Sequence, residues 1–396
     1  MVMVPSVGAV LADYGAQVVK IEPLEGDLNR RGHKIPGMPI HDTDYSYCFL
    51  PDNRGKRSLA LNLKAPESAA IVRRLVEGAD VFLTNFRPKA LKRLGLGWPE
   101  LQSMNPRLVY AHGTGFGDSG TEVDKPGFDT VCYWSRSGME ANAFPIDGWL
   151  GHLGYGTGDH PGGMALLSAV MLALFARERT GKGTRVSSSL LANGAWSNAI
   201  MIQARLLEAR FQERRPREEA RNFTSVYYRA GDRRIFKIAI VDSQRDWPKL
   251  CRAIGRPDLI VDPHYATLEK RMKDGRMREL IRICDQVFGS RPMAHWKRVL
   301  EEHDLPHSVV ATYDDVVADE QMAANGVFLE VDDPELGPVR TVDTPLHIES
   351  HPKIARASAP RLGEHSREIL AEIGLASGEI DALVERAVVA AHSAPN

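Results

Sequence analysis

The chain has 396 residues, of which 43% are hydrophobic and 26% are charged. This composition is that of an ordinary globular protein and excludes a collagen-like, coiled-coil or disordered chain. Basic and acidic residues nearly cancel, 50 against 51, so no overall field favours nucleic acid or an anionic membrane surface. Because single cores seldom grow beyond ~250–300 residues, the length predicts two domains or one composite domain.

The apolar segments and the cysteines favour a cytoplasmic protein without a membrane partner. Residues 1–16 are apolar but lack a basic leader, and the longest apolar stretch, Ala165–Phe175, is shorter than the ~20 residues of a membrane span. We expect this stretch to belong to a buried helix. The cysteines, at positions 48, 132, 251 and 284, have no CxxC spacing, which argues against a metal site or a disulfide framework.

The first half of the chain alternates β-branched runs with amphipathic segments, which is typical of βαβ units on a parallel sheet. Strands are predicted at Gln17–Ile21, Ser58–Leu61, Val81–Leu83 and Leu108–His112. Helices are predicted at Pro5–Tyr14, Pro66–Glu77 and Pro99–Met104, each opening on a proline, whose missing N–H does no harm there. A long helix, Met164–Arg179, follows, and then a strand and a helix within residues 184–201.

The composition changes after residue 206. Residues 207–222 are dense in both charges and have no apolar stripe, which indicates a linker or an exposed helix. Residues 225–240 predict two strands around an Ala-Gly-Asp turn, and helices are predicted at Ser243–Ile254, Met272–Phe288 and Met293–His303. We therefore predict a large α/β domain in residues 1–206 and a small α+β domain in residues 223–318. A final helix is expected near Ser377.

A series of short motifs runs through nearly the whole chain and, in this order, resembles the class III CoA-transferases, which include the formyl-CoA and L-carnitine CoA-transferases. The motifs occupy residues 11–23, 26–30, 53–64, 85–96, 105–120, 125–129, 158–163, 177–186, 255–259 and 359–370. The resemblance implies a Rossmann-like large domain to which residues 319–396 return, a small inserted domain and an interlocked homodimer.

The resemblance also implies a covalent mechanism. In this family the aspartate of the Gly-Asp motif attacks an acyl-CoA thioester, and here that aspartate is Asp159. The expected substrates are an acyl-CoA and a small carboxylic acid, and no tightly bound cofactor is expected. A carboxylate nucleophile divides one difficult transfer into easier acyl exchanges.

The residues around Asp159 suit this chemistry. Asp159 precedes a predicted helix, whose N–H groups and dipole favour an ionised carboxylate. His160 can adjust the site, while Gly162 and Gly163 can let backbone approach a substrate and donate N–H groups to an oxyanion. The same letters also fit a helix cap followed by a turn.

The CoA site implied by the resemblance lies at the ends of predicted strands, where α/β folds usually bind ligands. Its phosphates need cations and its adenine needs an apolar slot. Each basic residue can equally be a solvated surface charge. The expected residues are Leu61, Lys64, Asn85, Phe86, Arg87, Arg93, Lys125, Phe128 and Asp129.

Two departures from the family pattern leave alternatives open. Members begin with a strand and a loop that precede Leu11, so we expect either a start assigned too late or a protein without that strand. No glycine-rich loop occurs near residues 222–234, which disfavours oxalate as acceptor. An acyl-CoA racemase of the same family would carry a histidine where this chain has Phe128, and Phe128 cannot move a proton. A catalytically silent CoA-binding protein is the alternative of another class.

Overall fold

The computed structural model describes residues 2–143, 148, 154–240, 242–273, 275–354 and 357–392. The chain forms two compact units. The first comprises Met1–Asn142, Gly151–Glu208 and Ala323–Asn396, and the second comprises Ala143–Leu150 and Ala209–Met322. The first unit therefore contains both ends of the chain, and most of the second is inserted between its parts.

In the part of the chain that the structure describes, short strands form four sheets. The first unit holds two three-stranded sheets, in the orders β1–β2–β11 and β3–β4–β5, and the hairpin β9–β10, while the second unit holds the antiparallel sheet β6–β7–β8. The β1–β2 pair and the whole β3–β4–β5 sheet are parallel. The strands are β1 (Val19–Glu22), β2 (Arg57–Leu61), β3 (Val81–Thr84), β4 (Val109–Thr114), β5 (Arg185–Ser189), β6 (Tyr227–Arg229), β7 (Ile235–Ile238), β8 (His307–Val309), β9 (Phe328–Asp333), β10 (Gly337–Val342) and β11 (Val389–Ala390).

Helices connect and cover these strands, which confirms the mixed α/β class. Residue 274, within the predicted helix Met272–Phe288, lies outside the described residues. The chain also forms 3₁₀-helices at Leu28–Lys34 and Arg217–Glu219 and a short π-helix at Thr130–Ser135. The α-helices are α1 (Met3–Asp13), α2 (Leu50–Asn53), α3 (Pro66–Glu77), α4 (Pro88–Leu94), α5 (Trp98–Met104), α6 (Met139–Ala143), α7 (Asp159–Thr180), α8 (Leu190–Ser197), α9 (Ala199–Leu206), α10 (Trp247–Ala253), α11 (Asp258–Val261), α12 (Leu268–Arg271), α13 (Arg276–Phe288), α14 (Met293–Glu302), α15 (Tyr313–Val317), α16 (Glu320–Ala324), α17 (Ser366–Glu372) and α18 (Ser377–Glu385).

The sheet β3–β4–β5 is covered on both faces. Successive side chains of a strand point to opposite faces, and Tyr110 of β4 packs in a cluster with α3 and α5. Val109 and Ala111 pack in a second cluster, with α1 and α7. All three residues are at most 2% exposed, as expected of a parallel sheet between helices. Because helices cover both faces of the sheet, the loops that follow the strands lie at its carboxyl edge.

Helix α7 is only partly buried, which corrects the expectation of a buried helix. Leu166 and Val170 lie in the core, whereas Met171, Leu172 and Phe175 are 51%, 69% and 58% exposed. By length and composition α7 is apolar enough to span a membrane. Its packing against α1 and β4 is instead that of a helix that lies against a protein core on one side.

The second unit has its own aromatic core. Phe288, at the end of α13, packs edge-on against Phe236 of β7 and Trp296 of α14, with ring centroids 5.0 and 5.1 Å apart. The buried positions of α13, which include Leu280, Cys284 and Phe288, recur every four residues and so form one stripe of the helix. The predicted strands around the Ala-Gly-Asp turn are confirmed as β6 and β7.

Candidate active site

Asp159 is the first residue of α7, and Gly158 precedes the helix as its N-cap residue. The helix starts earlier than the predicted Met164. The prediction placed the start too late because a proline and two glycines weaken the local helix signal. Pro161 nevertheless fits the first turn, where its missing N–H has no helical acceptor. Tyr133 packs against Gly158 so closely that a Cβ there would lie 2.8 Å from the tyrosine ring. The position of Asp159 is thus fixed by packing on both sides of the helix start.

Gly162 and Gly163 allow α1 to approach α7. A Cβ on Gly163 would lie 2.7 Å from the carbonyl oxygen of Met3, and one on Gly162 would lie 3.2 Å from Leu190. The N–H of Gly162 donates to the carbonyl of Gly158 at 3.3 Å. These glycines therefore allow close packing of α1 and α8 on the start of α7, and their close approach to a substrate stays a prediction. The part of these glycines in stabilising an oxyanion stays a prediction.

The carboxyl of Asp159 is buried beside a second carboxylate. Asp159 is 9% exposed and Asp129 is 5% exposed. Asp129 accepts hydrogen bonds from the N–H of Gly158 at 3.0 Å and from that of Thr130 at 2.9 Å. Burial, and then the charge of Asp129, raises the pKa of Asp159 to about 7. Burial and this repulsion oppose the ionised carboxylate in the unliganded protein. That the helix start favours the ionised form stays a prediction.

His160 pairs with a buried carboxylate on another element. Its Nε2 lies 3.0 Å from Oδ1 of Asp52, at the end of α2. The Asp52 side chain is 4% exposed, whereas that of His160 is 52% exposed. The hydrogen bond with Asp52 raises the pKa of His160 despite the opposing effect of burial. The pairing with Asp52 thus favours the protonated imidazole of His160 at the first turn of α7.

The turn that follows α2 is anchored to α1 by two buried cations. Arg54 bonds Asp13 through both carboxylate oxygens, the shorter distance being 2.7 Å. Lys56 donates through Nζ to the carbonyls of Pro5 at 2.7 Å and Asp52 at 2.6 Å. Burial lowers the pKa of Lys56 well below its ordinary value. These contacts fix the backbone at Asp52 independently of His160.

The loop after β3 brings the predicted Asn85–Arg87 segment to the carboxyl edge of the sheet. His112, opposite Thr84 in the neighbouring strand, contacts the carbonyl of Phe86 through Nε2 at 2.9 Å. Asn85, Phe86 and Arg87 are exposed. Arg87 donates to the carbonyl of Asp124 at 3.0 Å, which joins this loop to the segment that contains Lys125.

The predicted residues Lys125, Phe128 and Asp129 occupy one loop. Lys125 pairs with Glu122 at 3.0 Å and lies 5.1 Å from the ring centroid of Phe116. Phe128 is 53% exposed, an unusual position for a phenyl ring. Because Asp129 accepts a hydrogen bond from the N–H of Gly158, this loop contacts the start of α7. The structure thus brings Asn85–Arg87, Lys125–Asp129 and Asp159 to one side of the first unit.

Three predicted residues lie apart from this loop cluster. Leu61 ends β2, in the other sheet, and its side chain is fully buried, so that only its backbone can face a ligand. Lys64 is exposed just beyond that strand, and Arg93 is exposed in the last turn of α4.

Sequence reasoning missed Asp52, Lys56 and His112. His112 ends a predicted strand, a position that could have marked it as a ligand-edge residue. Its Nδ1 lies 2.9 Å from Asp118, so it links two loops at that edge. Asp52 and His160 are far apart in the chain, and no local pattern announces their pairing.

Comparisons with known proteins agree over almost the entire length. The family described as CoA-transferase family III matches residues 1–366. The cinnamoyl-CoA:phenyllactate CoA-transferase of Clostridium sporogenes is 30% identical, over 96% of this chain and 92% of that protein. The (R)-2-hydroxy-4-methylpentanoate CoA-transferase of Clostridioides difficile is 28% identical, over 97% and 95%. The crystal structure of a CAIB/BAIF family protein from Brucella suis gives a TM-score of 0.80 at 27% identity, over 94% of this chain and 97% of that one.

Proposed function

The chain belongs to CoA-transferase family III, and on this premise we propose that it moves coenzyme A from an acyl-CoA to a small carboxylic acid through an aspartyl-CoA intermediate on Asp159. The observation that carries the proposal is the position of Asp159. Its carboxyl lies at the first residue of α7, mostly buried, and next to the loop that holds Lys125 and Phe128. The two named relatives are CoA-transferases, which supports the same reaction class.

The proposed reaction proceeds by four acyl exchanges. A carboxylate oxygen of Asp159 attacks the thioester carbonyl and the C–S bond breaks. CoA thiolate is released, and Asp159 and the acyl group form a mixed anhydride. The thiolate attacks the aspartyl carbonyl and releases the first acid as its carboxylate. The incoming carboxylate attacks the aspartyl-CoA, which forms a second anhydride and frees the thiolate again. Thiolate attack on the acyl carbonyl of that anhydride gives the new acyl-CoA and regenerates Asp159.

The ionisation of Asp159 controls the first exchange. Only the carboxylate is nucleophilic, and burial beside Asp129 raises the pKa of Asp159 to about 7. The reactive fraction of the free enzyme therefore increases as the pH rises through neutrality. Burial also favours reactivity, because a desolvated carboxylate carries no tight water shell that must be removed before attack.

The proposed CoA site uses the loops at the carboxyl edge of β3 and β4. Arg87 and Lys125 supply cations for the phosphates, and the exposed ring of Phe128 supplies an apolar surface. The Arg87 contact with Asp124 and the Asp129 contact with Gly158 connect this edge to the nucleophile. We also propose that Asn85 and Phe86 line this site, and that the backbone of Leu61 and the side chains of Lys64 and Arg93 contact CoA from outside the loop cluster.

Trapping of the covalent intermediate tests the proposal. The full-length protein is incubated with a panel of acyl-CoAs, quenched with hydroxylamine or borohydride, and analysed by intact and peptide mass. We expect a modification on the peptide that contains Asp159 and none in Asp159→Ala. The acyl-CoA that gives the modification identifies the donor.

Two further readouts distinguish the alternatives. Deuterium exchange at the α-carbon of a 2-methylacyl-CoA without transfer of CoA would indicate a racemase instead. Tight binding of CoA in calorimetry, with no exchange of label between acids and acyl-CoAs, would indicate a silent CoA-binding protein. Loss of transfer in Asp159→Ala with an unchanged fold is required for the proposed reaction.

We propose further that the protein is a homodimer. Helices α7, α8 and α9 expose large apolar side chains on the first unit, and such surfaces are typical of protein interfaces. They include Met171, Leu172 and Phe175 and also Trp196 and Ile200, which are 81% and 84% exposed. The interlocked dimer implied by the family resemblance would cover surfaces of this kind. Light scattering coupled to size-exclusion chromatography measures the mass directly.

A further inference from the structure

The transfer steps above leave one ion pair next to the nucleophile unused. His160 follows Asp159 on the first turn of α7, and its Nε2 lies 3.0 Å from Oδ1 of the buried Asp52. We propose that Asp52 is a positioning residue, which holds His160 as an imidazolium beside Asp159 so that this cation keeps the attacking carboxylate ionised. The inference rests on the proposed nucleophilic function of Asp159.

The geometry makes Asp52 the fixed member of the pair. Its backbone is held by Lys56, whose Nζ donates to the Asp52 carbonyl at 2.6 Å and to Oδ1 of Asn53 at 3.0 Å. Among the described residues, His160 is the side chain that hydrogen-bonds to the Asp52 carboxylate. A carboxylate that is 4% exposed is costly to keep ionised without a cationic partner. Asp52 therefore favours the protonated imidazole and fixes its orientation.

The surrounding charges leave a need for this cation. The groups that face Asp159 and His160 are Asp52 and Lys56 from α2 and the turn after it, Asp129 and Cys132 from residues 129–135, and Tyr155 from the turn before α7. Burial and the charges of Asp129 and Asp52 oppose ionisation of Asp159, whereas the charges of the amino terminus and of His160 favour it. Lys56 is fully buried, and its pKa is strongly lowered, so its own charge is a weak substitute. Neutralising His160 would leave the charges of Asp129 and Asp52 less opposed.

The test compares pH profiles of the first chemical step. Formation of the trapped Asp159 adduct is measured across about pH 5.5 to 9 in the wild type, Asp52→Asn, His160→Gln and the double variant. Asp52→Asn should shift the midpoint upward by a fraction of a pH unit, because this variant weakens the cation on His160 but also removes a carboxylate that opposes ionisation of Asp159. His160→Gln should shift it upward by about one pH unit, since a neighbouring charge in a partly desolvated site has about that effect. The rate of His160→Gln should decrease about tenfold near pH 6 and little near pH 9, with KM for the acyl-CoA unchanged. The double variant should lose no more than His160→Gln, because the two residues act as one unit.

A matched control is the pair of His33 and Asp44, whose Nε2 and Oδ1 atoms are also 3.0 Å apart, with the Asp44 side chain 76% exposed. Asp44→Asn should keep the wild-type profile. An unshifted profile in Asp52→Asn or His160→Gln, or a loss that is equal at all pH values, would overturn the inference. If Asp52→Asn fails to fold, His160→Gln decides alone, since this side chain is half exposed.

The same measurements separate the two proposals. If Asp159→Ala still transfers CoA, the nucleophile itself is wrongly assigned, and the role of Asp52 fails with it. If the adduct forms on Asp159 but the profile of Asp52→Asn is unshifted, only the positioning role fails.

Discussion

Replacement of Asp159 by asparagine should stabilise the protein at alkaline pH while it abolishes transfer. Burial, and then the charge of Asp129, raises the pKa of Asp159 from its ordinary value of 3.8 to about 7. Between about pH 4 and pH 7 the folded state therefore retains a proton that the unfolded state has lost. The free energy of unfolding contributed by this group decreases as the pH rises through that window and stays low above it. Asparagine has nearly the same shape and no charge, so the variant lacks this decrease.

The raised pKa sets the magnitude. One pKa unit corresponds to about 1.36 kcal/mol, so the increase from 3.8 to about 7 amounts to about 4 kcal/mol above pH 8. Water screens this effect little, because Asp159 is only 9% exposed. We expect wild type and Asp159→Asn to have similar stability near pH 4.5 and to differ by about 2–4 kcal/mol near pH 8.5.

Urea unfolding at several pH values, followed by circular dichroism with each variant beside the wild type, measures the difference. Asp27→Asn is a control of opposite sign. Burial alone would raise the pKa of Asp27, but Lys20 at 2.7 Å and the N–H of Asn29 outweigh it and lower the pKa. The ionised Asp27 stabilises the fold above its unfolded pKa, and this contribution is lost as the pH falls. Asp27→Asn should therefore be least stable relative to the wild type at high pH. A difference in the free energy of unfolding between Asp159→Asn and the wild type that did not depend on pH would refute the reasoning.

Three further predictions concern packing, CoA binding and assembly. Gly163→Ala should lower the free energy of unfolding by about 1–3 kcal/mol, because its Cβ would lie 2.7 Å from the carbonyl of Met3; Gly378→Ala, where nothing lies within 4 Å, should be neutral or stabilising in the same urea titration. Arg87→Ala should raise KM for the acyl-CoA about tenfold in steady-state kinetics, through loss of a charge-assisted hydrogen bond, and leave kcat unchanged. If Arg87→Lys restored no part of the lost affinity, this would count against a phosphate contact. Leu172→Glu should convert a dimer into a monomer in light scattering, since this side chain is 69% exposed on α7; an unchanged mass would place the interface elsewhere.

Local sequence signals predicted the elements that short-range chemistry specifies. Helix α3 has the predicted bounds Pro66–Glu77 because a proline opens it and Gly78 follows it. The start of α7 was misplaced because Pro161 and two glycines weaken helix propensity, while the advantage that outweighs this weakness is the contact with α1. Helix α7 is apolar on most of its circumference, a pattern that predicts burial. Which side of α7 stays exposed depends on the neighbouring elements, and these cannot be predicted from the sequence of α7 alone.

The motif order predicted Asp159 as the nucleophile, but the electrostatic environment of Asp159 depends on residues that are distant in sequence. Asp129 contacts the start of α7 through its hydrogen bond with the N–H of Gly158. Asp52 contacts the side chain of His160. Neither contact follows from periodicity or spacing. The helix start was visible in the sequence and predicted the ionised form, whereas the opposing effects of burial and repulsion required coordinates.

The two carboxylates and the histidine together suit the nucleophilic role that we propose for Asp159, although Asp159 is poorly ionised in the free protein. Asp129 fixes the N–H of Gly158 and destabilises a negative charge on Asp159, so attack on the thioester removes an unfavourable charge from a buried place. Conversion of the carboxylate to an anhydride or thioester relieves the repulsion, and the free energy of the reacting state decreases relative to the free carboxylate. The cation on His160 limits this effect, because without it Asp159 would be protonated too often to react. Asp129→Asn and His160→Gln should therefore move the pH midpoint of adduct formation in opposite directions, and midpoints that moved in the same direction would contradict this balance.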